Sequence, residues 1–207
     1  MPTALTTVFD HPALWRGEAC TRVEAVVPSG FAVLDRYLPG GGWPQGALTE
    51  LIVHTQGIGE LTLLMPACAQ LTQAGRSLVF VAPAYIPYAP ALAAAGLDLG
   101  RLLWVKAENR KDKLWALEQS LRSPRCGAAL AWIEECDDRS LRRLQLSCEQ
   151  SGACAFLFLT ASAVRTASPA VLRLRLSACD DSRLAVQILK RRGSLVTAPI
   201  VIDPRQH

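Results

Sequence analysis

The residues that come nearest to chemistry lie in the segment LTELIVHTQGIGELTLL, residues 48–64. An apolar strand pattern runs into a glycine-bearing turn, and an apolar helical pattern follows. This is the layout of a phosphate-binding loop, G-x-x-x-x-G-K-[ST], in which backbone N–H groups and the lysine hold phosphate oxygens. Glu60 stands where the lysine belongs, and a carboxylate there repels phosphate by about 4 kcal/mol at close range. We predict a degenerate nucleotide loop without ATPase activity, made of Gly57, Gly59, Glu60, Leu61 and Thr62.

Other groups that could carry chemistry are sparse. Glu134 and Glu135 follow an apolar strand pattern. The pair could bind a metal at the end of the strand, but acidic pairs at this position are more commonly just exposed to solvent. The three histidines lie far apart, and none of the seven cysteines forms a C-x-x-C pair. We therefore expect no metal site, no cofactor and no catalytic residue. The cysteines suit reduced, buried thiols in a cytoplasmic protein.

Length and composition favour a single globular domain. The chain has 207 residues, of which 50% are hydrophobic, so it can bury a sizeable core. No apolar run reaches the roughly 18 residues of a membrane span, and the N-terminal segment lacks the features of a signal peptide. We expect a cytoplasmic protein without membrane contact.

The net charge of +4 is unevenly distributed. Residues 1–160 carry 14 basic and 15 acidic groups, whereas residues 161–207 carry 8 basic and 3 acidic groups. Two interpretations stay open with equal weight: contact with nucleic acid or an acidic partner, and charged edge strands that prevent sheet-to-sheet pairing. The first interpretation predicts DNA contacts at Arg165, Arg173, Arg175, Lys190, Arg191 and Arg192.

Short apolar runs alternate with helical patterns through most of the chain. Strand patterns cover residues 49–53, 78–82, 102–105, 128–133 and 154–159, and helical patterns cover 60–74, 89–95, 111–121 and 138–150. This alternation predicts a parallel α/β sheet with strands buried on both faces. In the last helix, Arg139, Arg142 and Arg143 fall on the solvated side. Further strands at 171–177, 184–190 and 199–202 predict a C-terminal antiparallel meander.

The segment SGFAVLDRYLPGGGWPQGALTEL, residues 29–51, resembles the motif that precedes the phosphate loop in RecA proteins. Residues 92–104 are similar to a RecA helix–turn–strand, residues 131–134 to the RecA Walker B strand, and residues 186–191 to a strand near the end of the RecA core. The resemblance spans residues 28–203. It implies an α/β fold with a degenerate RecA-like P-loop NTPase core, flanking helices and a C-terminal antiparallel extension. We expect an N-terminal arm at 1–27, the core at 28–160, and a basic meander at 161–207 that completes the same domain.

The chain departs from the RecA pattern at the positions that carry chemistry. Glu60 replaces the lysine, and residues 82–85 (APAY) occupy the place of the stretch with the catalytic glutamate. Thr160 and Ala161 replace the pair that senses the γ-phosphate, so that only the acidic residue of the Walker B strand survives, as Glu134. Without lysine, base and sensor there is no route to phosphoryl transfer.

Two RecA-derived families have lost this chemistry. The LWRG segment at 14–17, the GGGWP segment at 40–44 and the basic meander resemble ImuA, the RecA-like accessory protein of damage-induced (SOS) translesion synthesis. The LTEL segment and the strands that contain tryptophan are shared with SulA, the cell-division inhibitor that binds FtsZ. The chain extends beyond a SulA core at both ends, so we favour ImuA and keep the SulA-like inhibitor as the alternative.

The ImuA resemblance implies a non-catalytic adaptor. The implied partners are an ImuB-like Y-family polymerase homologue and an error-prone C-family DNA polymerase. RecA, DNA and a second copy of the chain stay open as further partners. We predict partner contacts at Leu14, Trp15, Val23 and Trp43, because tryptophan is favoured at interface centres. The remaining tryptophans, Trp104, Trp115 and Trp132, fall in strand or helix patterns and are expected in the core.

Overall fold

The computed structural model describes residues 25–160, 168–192 and 198–204. Within them the strands are β1 (Val26–Val27), β2 (Trp43–Pro44), β3 (Ala47–Val53), β4 (Ser77–Val81), β5 (Leu102–Val105), β6 (Cys126–Trp132), β7 (Cys154–Thr160), β8 (Leu172–Ala178), β9 (Leu184–Lys190) and β10 (Ile200–Ile202). The α-helices are α1 (Ala32–Asp35), α2 (Met65–Gln73), α3 (Ala89–Ala94), α4 (Arg110–Arg122) and α5 (Asp138–Ser151).

The main sheet has eight strands in the order β10-β9-β8-β3-β7-β6-β4-β5. The pairs from β8 to β5 are all parallel, with β3 near the middle between β7 and β8. β9 runs antiparallel to β8, and β10 runs antiparallel to β9. The predicted α/β class, with a mostly parallel central sheet and antiparallel strands at the C-terminal end, is confirmed.

The central strands lack polar alternation because both of their faces are covered. Every residue of β3 and of β6 is buried. One apolar cluster combines α2 with one face of the sheet, and a second cluster combines α4 and α5 with the other face. Strands that bury both faces read as continuous apolar runs, which is why periodicity located them in the sequence.

Most predicted element boundaries agree with the structure to within about two residues, which is the usual uncertainty of helix ends. The predicted helix at 60–74 is wrong at its start. There a 3₁₀ turn, Thr62–Leu64, precedes α2, which begins at Met65 and carries Pro66 in its first turn. Proline is tolerated there because it has no backbone N–H to leave without a partner. No helix within the described residues is long and apolar enough to span a membrane.

The segment before β3 packs tightly against the sheet. β1 pairs with β2 in a small antiparallel ribbon, with Val27 opposite Trp43. Trp43 is 0% exposed and packs edge-to-face on Phe156 of β7, with 5.4 Å between the ring centroids. The prediction that Trp43 contacts a partner is therefore wrong, because its ring fills the core. Gly30 has a φ of +86°, and a Cβ there would lie 2.4 Å from the Cβ of Pro66, so this turn requires glycine.

Candidate functional site

The loop between β3 and α2, residues 54–61, leaves the carboxyl end of a central strand. In open α/β sheets ligands bind at the carboxyl ends of the strands. Gly57 and Gly59 have φ values of +81° and +97°, a region that glycine adopts without steric cost. The loop then enters the 3₁₀ turn Thr62–Leu64, which leads into α2. Strand, glycine turn and helix thus follow one another in the order of a phosphate-binding loop.

The Glu60 side chain folds back into this loop. Its Oε1 accepts a hydrogen bond from the Gly57 N–H, and its Oε2 accepts one from the Ile58 N–H, both at 2.9 Å. Glu60 is buried. Each carboxylate oxygen therefore has a backbone donor of the loop as its partner, and hydrogen bonds to an ionised acceptor are stronger than neutral ones.

This arrangement gives the loop an anion that belongs to the chain itself. Consecutive backbone N–H groups that point into a turn form a concave site for anions. Here the carboxylate of Glu60 occupies the N–H donors of Gly57 and Ile58. A second anion at these donors would have to displace the carboxylate or lie against its negative charge.

Two cavities open beside the loop. The first, of about 400 Å³, lies at the carboxyl ends of the central strands and includes Gln56, Trp104 and Glu134 in its wall. The second, of about 390 Å³, lies between residues 57–62 of the loop and residues 83–88 after β4. Trp132 contributes to both walls, and its ring stacks on Phe158 with a centroid distance of 4.5 Å. Aromatic and apolar side chains dominate the second cavity, which suits apolar groups better than a triphosphate.

Glu134 directly follows β6 and Ile133, at the same edge of the sheet as the loop. Its side chain is exposed, and its carbonyl oxygen accepts a hydrogen bond from Thr160 Oγ1 at 3.2 Å. Glu60 lines the second cavity, whereas Glu134 lines the first. Within the described part of the chain, no group of three or more His, Cys, Asp or Glu side chains could hold a metal ion.

Comparison with known proteins places this fold and loop in a family. The family model described as "Cell division inhibitor SulA" matches residues 46–155, which is more than half of the chain. The chain belongs to the SulA family. The matched region runs from the residue before β3 into β7, so it contains the glycine loop and the carboxyl ends of β3, β4, β5 and β6.

Individual relatives of this SulA-family chain fall into three groups. ImuA of Caulobacter vibrioides is 36% identical over 65% of the chain and 58% of that protein. RecA of a Picosynechococcus strain is 31% identical over 56% of the chain and 33% of that protein. SulA of Serratia proteamaculans is 23% identical over 56% of the chain and 69% of that protein. The predicted resemblance to the ImuA, RecA and SulA group is confirmed, although the match spans little more than half the length of ImuA.

The structure contradicts the predicted DNA contact at Arg173. This arginine lies on β8 directly opposite Glu50 of β3, and its Nε is 2.5 Å from Glu50 Oε2. Both side chains are buried. Ser168 Oγ donates a hydrogen bond to Glu50 Oε1, and Lys190 Nζ donates one to the Ser168 carbonyl oxygen. Arg173 therefore balances a buried carboxylate and cannot reach a DNA phosphate.

The other basic residues of the C-terminal quarter differ in their surroundings. Arg175 Nη1 donates to Gln187 Oε1 at 3.4 Å, across the β8–β9 pair. Arg191 Nη1 donates to the Tyr37 carbonyl oxygen, and Arg192 is exposed. Arg165 lies outside the described residues. Within the described residues, Lys190, Arg175 and Arg191 each donate to a separate protein group.

The remaining tryptophans also correct the sequence interpretation. Trp132 is buried as expected, but Trp104 and Trp115 are exposed, so their predicted core positions are wrong. Trp104 belongs to β5, which is an outer strand of the sheet, and Trp115 lies on the solvent side of α4. The other predicted partner contacts, Leu14, Trp15 and Val23, lie outside the described residues.

Buried thiols contribute no nucleophile to the site. Cys68, Cys126, Cys136, Cys148 and Cys154 are buried, as the sequence predicted for most of its cysteines. Burial raises the pKa of the Cys126 and Cys154 thiols to about 12. It also raises the pKa of Cys68 and Cys148. Thiols that stay protonated at neutral pH react slowly as nucleophiles or metal ligands.

Sequence reasoning missed the importance of Glu50. The residue interrupts an otherwise apolar strand, LTELIV, and a buried carboxylate requires a partner. The alternating VLRLRL segment contains the partner, Arg173. A search for charges of opposite sign within strands predicted to be buried would have paired these two residues.

Proposed function

We propose that this chain is a non-catalytic, RecA-like accessory protein of damage-induced translesion DNA synthesis. It acts as an adaptor that joins members of an error-prone polymerase assembly. The observation that carries the proposal is the position of Glu60, whose carboxylate accepts hydrogen bonds from the Gly57 and Ile58 N–H groups of its own loop. The similarity to ImuA supports the choice of process.

A loop closed in this way is a degenerate nucleotide loop. Binding ATP would cost the two charge-assisted hydrogen bonds of Glu60, and the freed carboxylate would still repel the phosphates. The loop offers no lysine in exchange, and residues 82–85 supply no carboxylate base. The ATPase framework then serves to present surfaces to other proteins, and turnover of ATP is not part of its activity.

The proposed partners follow the ImuA resemblance. They are an ImuB-like Y-family homologue and an error-prone C-family polymerase, in the cytoplasm, with RecA as a further candidate. We assign residues 1–27 to an arm that contacts a partner through Leu14, Trp15 and Val23. Residues 28–160 and 161–207 form the core and the meander of one domain.

Nucleotide titration tests the closed loop. We expect the full chain to show no saturable binding of ATP–Mg²⁺ by calorimetry, and no release of phosphate above a blank without protein. Saturable binding, or turnover that is abolished by Glu60→Ala or Glu134→Ala, would overturn the proposal.

A variant of the loop tests the assigned cause. Glu60→Ala removes the internal anion and leaves the Gly57 and Ile58 N–H groups open. We expect weak binding of inorganic phosphate to appear in this variant, measured by ³¹P line broadening. Glu135→Ala, which removes an exposed carboxylate elsewhere on the same sheet edge, serves as the control and should behave like the wild type. Equal phosphate binding by all three proteins would contradict the assignment.

A SulA-like inhibitor of cell division is the second candidate. The family-model match and the coverage of 69% of Serratia SulA favour it. The two functions separate in one experiment, in which the full chain is produced with either an ImuB-like protein or FtsZ. The adaptor function predicts co-purification with the first and normal cell length. Filamentous cells and retention of FtsZ would establish the second function instead.

Direct DNA binding is an additional property that we propose for Arg175, Arg191 and Arg192, with Lys190 and Arg165 nearby in sequence. Phosphate contacts make such binding weaken steeply with salt. Labelled single-stranded DNA is titrated at two salt concentrations. Absence of binding at the lower concentration would remove this property and leave the adaptor function intact.

A further inference from the structure

Two neighbouring helices present an exposed surface that the proposed function does not use. α4 and α5 pack side by side on one face of the sheet. Helical spacing puts six exposed side chains on their outer sides. We call this set the α4–α5 surface: Trp115, Arg122, Arg139, Arg142, Arg143 and Leu146.

Glu118 joins the two helices beneath this surface. It is nearly buried, and its two oxygens accept from Arg122 Nη2 at 2.8 Å and Arg143 Nη2 at 2.9 Å. Arg122 comes from α4 and Arg143 from α5, while roughly half of each arginine side chain stays exposed. The shared carboxylate therefore holds one guanidinium of each helix at the surface.

The charges of the surface do not balance. Four arginines accompany three carboxylates, those of Glu118, Asp138 and Glu149. Glu118 is held by two of the arginines, and Glu149 Oε1 accepts a hydrogen bond from Gln145 Nε2. Within the described residues, Arg139 and Arg142 form no ion pair, and both are exposed. The excess positive charge calls for an acidic partner, since complementary potentials favour association.

Two large apolar side chains accompany the arginines. Trp115 is 63% exposed and Leu146 is 55% exposed, although α4 and α5 otherwise direct their apolar residues into the core. Trp115 lies one turn before Glu118, and Leu146 lies one turn after Arg143. Tryptophan and arginine are among the residue types that contribute most of the binding energy at protein interfaces.

We propose that the α4–α5 surface binds an acidic segment of a partner protein that also carries an apolar anchor residue. The acidic groups pair with Arg139, Arg142 and the exposed parts of Arg122 and Arg143. The anchor covers Trp115 and Leu146, which removes their apolar area from water. The surface lies on the face of the sheet that α1 and α2 do not occupy. The proposal does not depend on which assembly the chain joins.

The apolar component favours a protein over a nucleic acid. A nucleic acid would use the arginines as phosphate contacts and would stack a base on an aromatic ring. It would leave Leu146, an aliphatic residue one turn beyond the last arginine of α5, in contact with polar groups or water. An acidic segment with an apolar side chain satisfies both kinds of residue at once.

A peptide selection tests the proposal. Random peptides displayed on phage are selected against the full chain and counter-selected against the variant Arg139→Glu/Arg142→Glu/Leu146→Ser. We expect the retained peptides to combine Asp or Glu with a leucine or an aromatic residue. A synthetic, fluorescent copy should bind the wild type at least about tenfold more tightly than the variant. Retained peptides with no acidic or apolar preference would overturn the proposal.

Matched variants separate this surface from general charge effects. Arg36→Glu reverses an exposed arginine just after α1, on the opposite face of the sheet, and should leave the peptide affinity unchanged. Exchanging the peptide's acidic residues for lysine should restore binding to Arg139→Glu/Arg142→Glu. Thermal melts confirm that the variants fold. Equal loss with Arg36→Glu, or binding of labelled single-stranded DNA through the same arginines in place of the peptide, would contradict the proposal.

Discussion

Two sets of arginines show opposite outcomes in this fold. Arg173 on β8 is buried and bonded to Glu50 of the central strand. Arg139 and Arg142 on α5 are exposed. One of the two interpretations of the sequence made the β8 arginines ligands of an outside partner. The structure instead leaves the helical arginines accessible.

The difference comes from the position of each element in the sheet. β8 is an inner strand that pairs with β3 on one side and β9 on the other, so alternation along it does not guarantee a solvated face. A helix that covers a sheet always has an outer side, so the arginines on that side of α5 stay in water. An alternation of apolar and charged residues therefore indicates a binding surface only when the strands on either side are known.

The largest effect that we predict follows from the buried pair. Glu50→Leu leaves the Arg173 guanidinium buried without its carboxylate, which should lower the free energy of unfolding by about 3–5 kcal/mol. Urea titration followed by circular dichroism measures the change. The double variant Glu50→Leu/Arg173→Leu removes both charges and should recover much of the loss. A loss below about 1 kcal/mol for the single variant would mean that Arg173 is solvated, as the sequence first suggested.

A smaller effect is expected from the buried side of α5. Gln145 Oε1 accepts a hydrogen bond of 2.9 Å from the Leu48 N–H of β3, and both residues are buried. Gln145→Leu leaves this N–H without an acceptor, which should cost about 1–3 kcal/mol of unfolding free energy. Gln150→Leu, at an exposed position of the same helix, is the control. If the two variants are equally stable, Gln145 does not fasten α5 to the sheet.

The sequence predicted the fold well where burial controls the residue pattern. An apolar run such as 154–159 can be assigned to a buried strand once helical patterns flank it. The site was harder to predict. The sequence shows that a glutamate, Glu60, stands in place of the lysine. The hydrogen bonds of its carboxylate to the Gly57 and Ile58 N–H groups depend on loop dihedrals that the local sequence does not determine. The burial of Trp43 and Arg173 depends on contacts more than a hundred residues away.

The cap of α5 should give a pH-dependent effect of intermediate size. Asp137 Oδ1 accepts from the Ser140 N–H at 2.9 Å, and this bond, with smaller help from Ser140 Oγ and Arg110, holds the pKa of the Asp137 carboxyl below its ordinary value of 3.8. Because the folded-state pKa is lowered, the stabilisation is present above the unfolded-state pKa and is lost as pH falls through the folded-state value. Asp137→Ala should cost about 1 kcal/mol at neutral pH.

The pH dependence of the cap is measured by urea titration at neutral pH and at successively lower pH. The stability difference between wild type and Asp137→Ala should shrink below a pH of about 4. Asp137→Asn keeps a side-chain acceptor for the Ser140 N–H but cannot titrate, so its difference from Asp137→Ala should stay constant with pH. A difference between wild type and Asp137→Ala that does not change with pH would show that the charge of Asp137 contributes nothing to the cap.

The smallest effect on stability is expected at the exposed arginines, and it completes the contrast with Arg173. Arg139→Glu and Arg142→Glu alter side chains that form no ion pair within the described residues, so each should change the free energy of unfolding by less than about 0.5 kcal/mol. Urea titration at low and at high salt checks this value and screens any long-range charge effect. A destabilisation as large as that of Glu50→Leu would mean that these arginines are structural, like Arg173. A negligible change in the free energy of unfolding would be consistent with a role in binding. Arginines that contribute little to folding and expose their N–H donors are available to a partner.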